Sequence, residues 1–221
     1  MEVRPGILQV TGGMEMYGGL PLLQAGVGLT STPRGLDVQT NGERSGLTVR
    51  FRSLRSRVGF APDSLVLRGY WEMHEEGDSA TIGVRGLVAG VDTVEVSALG
   101  YRPDTMVVRV DQGYLETAEP LATTTLRTGD STLVQLVFRA PNGDAARPTA
   151  AMLLSITTSA TLAVSGPGVS GGTPPLVTLA VPAGAAQAQF WVKGVSAGAA
   201  RLTVTGPAIR MLELQGAVRA P

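Results

Sequence analysis

The chain has 221 residues, about twice the length of a seven-stranded β-sandwich, so two domains are expected. Lys+Arg and Asp+Glu number 18 each, and this balance removes the long-range positive field that a nucleic-acid binder or a polybasic membrane protein exerts. There is no cysteine, which excludes disulfides, thiolate metal sites and cysteine nucleophiles, while 29 Gly and 14 Pro point to many short strands joined by turns.

The opening Met1-Glu2-Val3-Arg4-Pro5-Gly6 lacks a basic stretch followed by an apolar one, so no signal peptide is expected in this chain. Residues 1–30 are Gly-rich and carry Met14 and Met16. The first clear strand comes later, where Leu47, Val49 and Phe51 alternate with Thr48, Arg50 and Arg52; this period of two sends successive side chains to opposite faces. A register change is expected near Leu54, before Val58 and Phe60 face inward. Residues 71–78 (Trp-Glu-Met-His-Glu-Glu-Gly-Asp) read as an acidic turn. Ile82 and Val84, then Val94, Val96 and Ala98, are expected to form two neighbouring antiparallel strands, because Gly86 and Gly90 bracket a connector where the chain must turn. Met106, Val108 and Val110 close the first half, and a short linker is expected around residues 111–114.

In the second half Val134, Leu136 and Phe138 alternate up to the turn signal Ala140-Pro-Asn-Gly-Asp144, and Met152, Leu154 and Ile156 continue the pattern. No charged residue occurs from Pro148 to Val192. Glycines and prolines between 166 and 175 break this stretch, so no apolar run of about 20 residues survives to span a membrane. Phe190 and Val192, a glycine-bracketed connector from Gly194 to Gly198, and Leu202 and Val204 repeat the motif of the first half.

The repetition has a fixed spacing: residues 80–90 align with 188–198 without a gap, an offset of 108. At that offset Val94 meets Leu202, Val96 meets Val204, and far upstream Pro33 and Gly35 meet Pro141 and Gly143. One duplicated unit is expected, over residues 1–110 and 111–221.

Residues 181–204, with Phe190-Trp-Val-Lys-Gly194 and the following Arg201-Leu-Thr-Val204, resemble the last strands of bacterial immunoglobulin-like domains of the Big, invasin and intimin type. Residues 78–90 and Ser97-Ala-Leu-Gly-Tyr101 carry the same pattern. The match covers roughly the C-terminal third of each unit, and the N-terminal part of the first unit diverges from it. The resemblance implies two tandem immunoglobulin-like Greek-key β-sandwiches, used outside the cytoplasm as spacer or binding modules of adhesins, envelope proteins and secreted polysaccharide enzymes. It implies no catalytic residue.

His74 is the only histidine, so any Ser-His-Asp arrangement would have to use it and no metal site could hold more than one imidazole; an exposed loop histidine is expected. Glu72, Glu75, Glu76 and Asp78, and separately Asp104 and Asp111 beside the linker, offer oxygens to calcium, but solvated turn carboxylates account for both groups and no metal or cofactor is expected. Arg50, Arg52, Arg55 and Arg57 form the densest basic cluster, which suits either an anionic glycan or acidic partner, or an exposed strand edge blunted by charge. Trp71 and Trp191 are the remaining candidate contacts; Trp191 alternates with Phe190 and Val192 and is expected to point away from the core.

The function expected from these features is a non-catalytic structural or interaction module at the periplasm or cell surface, contacting other protein subunits or copies of itself. An extrinsic subunit of a membrane or envelope complex, and a carbohydrate-binding accessory to a secreted enzyme, are the alternatives. Neither nucleic acid nor a transmembrane segment is expected.

Overall fold

The structure is a computed structural model that describes residues 6–12, 15–31, 36–40, 47–61, 64–67, 72–73, 82–117, 126–170 and 175–221. None of these residues is helical, and no helix is long and apolar enough to cross a membrane. The chain is all-β.

The first thirteen strands are β1 (Gly6–Gly12), β2 (Met16–Tyr17), β3 (Leu20–Gly26), β4 (Leu29–Ser31), β5 (Leu36–Thr40), β6 (Leu47–Ser53), β7 (Val58–Ala61), β8 (Ser64–Leu67), β9 (Glu72–Met73), β10 (Gly83–Gly86), β11 (Gly90–Ala98), β12 (Tyr101–Arg102) and β13 (Asp104–Asp111). The rest are β14 (Tyr114–Thr117), β15 (Leu126–Arg127), β16 (Ser131–Arg139), β17 (Ala146–Pro148), β18 (Met152–Thr158), β19 (Leu162–Ser165), β20 (Val169–Ser170), β21 (Leu176–Val181), β22 (Gln187–Gly194), β23 (Gly198–Gly206) and β24 (Ile209–Arg219). Two compact units result: residues 1–112 with 140–144, and residues 113–139 with 145–221.

In unit 1 a six-stranded sheet runs β2-β3-β13-β11-β6-β8. Opposite it lie the ladders β12-β1-β5-β9 and β4-β10-β7. Val49, Phe51, Val94, Val96, Met106 and Val108 from the large sheet meet Val10, Val38, Val58, Ile82 and Val84 in one cluster, and Phe51 stacks near Phe60 with ring centroids 5.3 Å apart. In unit 2 the sheets are β14-β16-β22-β19 and β15-β24-β23-β18-β21-β20. Phe138, Phe190, Leu136 and Val192 are fully buried from one sheet, and Leu154, Ile156, Leu202 and Val204 from the other. Each such side chain withdrawn from water contributes about 2 kcal/mol, so these alternating faces are what holds a cysteine-free sandwich closed.

β10 and β11 are not the neighbouring pair that their alternation suggests. β10 pairs with β4 and β7, whereas β11 pairs with β13 and β6 in the other sheet. The connector over 87–89 is therefore a corner between layers, which lets Val84 and Val94 face each other across the core. Gly86 makes the corner feasible: a Cβ there would lie 2.3 Å from the Gly26 carbonyl oxygen and 2.8 Å from Val110 Cγ1. Gly194 repeats the arrangement, with a Cβ 2.6 Å from the Arg127 carbonyl oxygen and 2.9 Å from Val218 Cγ1.

The ladders show which positions of the two units correspond. Val94 faces Met106 as Leu202 faces Leu214, so the offset of 108 holds through the last strands. Upstream it changes. The Gly28 amide donates to the Gly86 carbonyl at 2.8 Å, and the Gly129 amide to the Gly194 carbonyl at 2.9 Å, so these strands are related by 101 residues. Pro33 and Gly35 lie outside the described residues, but the strand just before them follows the offset of 101, and Pro141 and Gly143 sit in a turn after β16.

Candidate functional site

The four arginines divide into two pairs. Thr48, Arg50 and Arg52 project outward from β6 while Val49 and Phe51 point inward, and the Arg52 guanidinium lies 3.2 Å from Glu95 on β11. Arg50 borders an open depression of about 600 Å³ shared with Leu47, Thr48, Ser97, Ala98 and Leu99. β6 is flanked by β11 on one side and β8 on the other, so its arginines do not blunt a sheet edge; β8 occupies that edge. Arg55 and Arg57 lie beyond the strand, where residues 54–57 carry the chain from β6 in one sheet to β7 in the other. The register change expected near Leu54 is this crossing, with Ser56 at φ 55°.

A residue that the sequence reading missed organises the crossing. Asp92, at 0% exposure, accepts hydrogen bonds from the Ser53 hydroxyl at 2.6 Å and from the amides of Arg55 and Arg57 at 3.0 and 2.8 Å. Burial, the largest single influence, pushes this carboxyl up, yet Ser53 and the amides of Arg57, Arg55 and Thr93 together hold it below the usual carboxylate range. The signal was available: Asp92 lies two residues before Val94 and so shares its inward face. Arg57 also donates its guanidinium to the Ala89 carbonyl, tying the 54–57 loop to the corner beside Gly90.

Of the acidic candidates, Asp104 and Asp111 do not converge. Asp104 and Asp111 stand at opposite ends of β13, about 23 Å apart at strand rise, which is too far to share an ion. Asp104 accepts from the Val10 and Thr105 amides, and Asp111 from the Gln112 amide. Trp71, His74, Glu75, Glu76 and Asp78 lie outside the described residues, as does the side chain of Glu72. Among the described residues no group of three or more His, Cys, Asp or Glu side chains could hold a metal.

Unit 2 presents two contrasting outer faces. On the four-stranded sheet, Gln187, Gln189, Trp191 and Lys193 project outward from β22 while Ala188, Phe190 and Val192 are buried, so Trp191 points away from the core as expected and is 45% exposed. Its cross-strand neighbours are Leu133 on β16 and Ser165 on β19. On the six-stranded sheet, Leu153, Ser155 and Thr157 of β18 lie beside Ala180, Thr178 and Leu176 of β21. Thr203 and Thr205 of β23 and Ser170 of β20 extend the same face. None of these positions is charged, but the face is bordered by an ion pair at 2.5 Å between Arg201, the next outward residue of β23, and Glu213, the partner of Thr203 on β24. An apolar depression of about 340 Å³ lined by Ala151, Met152, Leu153, Ala180, Val181 and Pro182 ends it.

No protein-family model matches the chain, and no curated protein matches it. Among solved structures, domains 4 and 5 of the S-layer protein SbsC are 18% identical, with 78% of this chain and 77% of that chain covered, at a TM-score of 0.35. A β-glycosidase from Bacteroides vulgatus is 15% identical over 97% of this chain and 25% of its own length, at 0.36. A β-glucuronidase of glycoside hydrolase family 2 is 11% identical over 98% and 20%, at 0.39. The chain thus spans a quarter or less of either glycosidase.

Proposed function

We propose that the chain is a non-catalytic interaction module of a bacterial extracytoplasmic protein, built from immunoglobulin-like units and engaged in assembly through unit 2. The observation that carries this reading is the charge-free outer face over β18, β21 and β20, bordered on β23 by Thr203 and Thr205 and only beyond them by the paired Arg201 and Glu213. A sheet face left to water ordinarily scatters charges of both signs. Here two leucines, Leu153 at 59% and Leu176 at 52% exposure, stand among hydroxyls and methyl groups. Such a surface loses little on leaving water, because no ion has to be desolvated.

A second copy of the chain suits it by construction. A two-fold contact sets a patch against itself, and a patch without charges brings no like charges together. Two strands about six residues long and about 4.8 Å apart, with shorter flanks from β20 and β23, give a footprint of roughly 200–300 Å², well under the ~800 Å² per partner of a standard interface. Association through this face alone is therefore expected to be weak and reversible. Multi-angle light scattering of the full chain at rising concentration tests the reading: mass should increase, and Leu153→Arg should return it to the monomer value while circular dichroism is unchanged. A monomer at every concentration, or unaltered association of Leu153→Arg, overturns it.

A further inference from the structure

The other face of unit 2 has a different chemistry. Gln187, Gln189, Trp191 and Lys193 stand in a row along β22, and Gln135 on β16 is the direct cross-strand partner of Gln189. Nearby polar groups elsewhere in the unit are engaged: Arg139 donates to Glu116 at 2.8 Å, and Gln215 and Arg201 both donate to Glu213. The side-chain amides of Gln135, Gln187 and Gln189 and the indole N–H of Trp191 make no hydrogen bond to the described residues. The pyrrole edge of the indole rests at Gly166, φ 138°, where a Cβ would lie 3.8 Å from Trp191 Cδ1. Trp191 as a whole is exposed.

We infer that this face is a binding site for a neutral glycan running along β22. The C–H face of a pyranose is slightly positive and is attracted to the negative face of an aromatic ring, which a protein supplies with an exposed indole. Sugar hydroxyls both donate and accept, and a glutamine amide offers two donors and an acceptor in one plane, so amides match vicinal hydroxyls without a charge. The spacing is suitable: outward residues on one strand repeat at about 6.6 Å and adjacent strands lie about 4.8 Å apart, so a ring stacked on Trp191 has Gln189 and Gln135 beside it and Gln187 one step further on.

A protein partner fits this face less well. A tryptophan that anchors a protein interface is surrounded by groups that exclude water. The neighbours of Trp191 are Gln189 and Lys193 on its own strand and Ser165 across from it, with Leu133 as the apolar exception. Among the described residues the only acidic side chain on the strands of this sheet, Glu116, is paired with Arg139, and Lys193 lies at the end of the row rather than within it, so an anionic ligand is not required.

Isothermal titration calorimetry of the full chain against a soluble mixed-linkage β-glucan, a glucomannan and a dextran tests this. At least one should bind, with Trp191→Ala weakening it about tenfold or more, Trp191→Phe recovering part of the loss, and Gln189→Ala giving an intermediate loss. Trp191 is an outward side chain, so circular dichroism and thermal melting should show the alanine variant folded; were it unfolded, Trp191→Phe and Gln189→Ala would decide. Leu153→Arg should bind glycan like the unmodified chain, which separates this site from the assembly face. Absence of binding by all three polysaccharides, equal binding by Trp191→Ala, or a Trp191-dependent rise in mass without glycan, which would mark a protein contact, overturns the inference.

Discussion

The two units solve one structural problem with different chemistry. Both must carry the chain from a strand of the larger sheet into a strand of the facing one, between Ser53 and Val58 in unit 1 and between Thr158 and Leu162 in unit 2. The first crossing is one residue longer and is gathered around a buried carboxylate, Asp92. In the second crossing the position corresponding to Asp92 is Ala200, and hydroxyls do the tying: Thr161 donates to the Ala199 carbonyl at 2.9 Å, Ser159 and Thr161 hydrogen-bond to each other at 2.7 Å, and the Ser159 oxygen accepts from the Arg201 amide at 3.1 Å. A carboxylate reaches further and holds more donors than a hydroxyl, so it organises the longer loop. It also makes that loop sensitive to acid.

The sharpest test of the common part is at the corners. Gly86→Ala and Gly194→Ala each drive a Cβ into a carbonyl oxygen and a valine methyl, and each should destabilise its own unit by about 3 kcal/mol. Hydrogen exchange read separately over the two units measures this, and a loss in one unit but not the other would break the equivalence. Next comes Asp92→Ala, which leaves the Ser53 hydroxyl and two amides without their acceptor. Because the 54–57 loop is largely exposed and water replaces part of the interaction, a loss of about 2 kcal/mol confined to unit 1 is expected in urea unfolding.

The pH dependence follows from the direction of the Asp92 shift. Its folded-state pKa is depressed, so its contribution is fully present above the unfolded value of about 3.9 and is lost as pH falls through the folded value. Asp92→Asn should therefore flatten the acid limb of unit 1 below about pH 4, while the limb of unit 2 is unchanged. The smallest effect belongs to Arg52→Ala. Its ion pair with Glu95 is largely exposed and has no counterpart at the equivalent Thr157–Thr203 pairing of unit 2, so a change of about 0.5 kcal/mol or less is expected in the same unfolding series.

These contrasts also mark where the sequence was readable. Alternation placed Val49, Phe51, Phe190 and Val192 inward and Arg50, Arg52 and Trp191 outward, because the pleat imposes a period of two whichever sheet a strand joins. The same indifference hid the sheet assignment: β10 and β11 have the pattern of a hairpin, and only the pairing of β10 with β4 and β7 and of β11 with β13 and β6 reveals a corner. The neighbours of β6 were hidden too, since pairing with β8 involves residues more than ten positions away. Of the candidate contacts, Trp191 could be found from its phase on the strand. The charge-free stretch was visible as composition, but that its two leucines share one face required the pairing of β18 with β21.

The charge-free face has a consequence for how the molecule responds to its surroundings. A contact made there contains no titratable group and displaces no counterions, so it is indifferent to pH and nearly so to ordinary ionic strength. Sulfate, which is excluded from protein surfaces, would tighten it, and urea would loosen it. Under the proposed function, association of that kind would persist where acidity and salinity fluctuate.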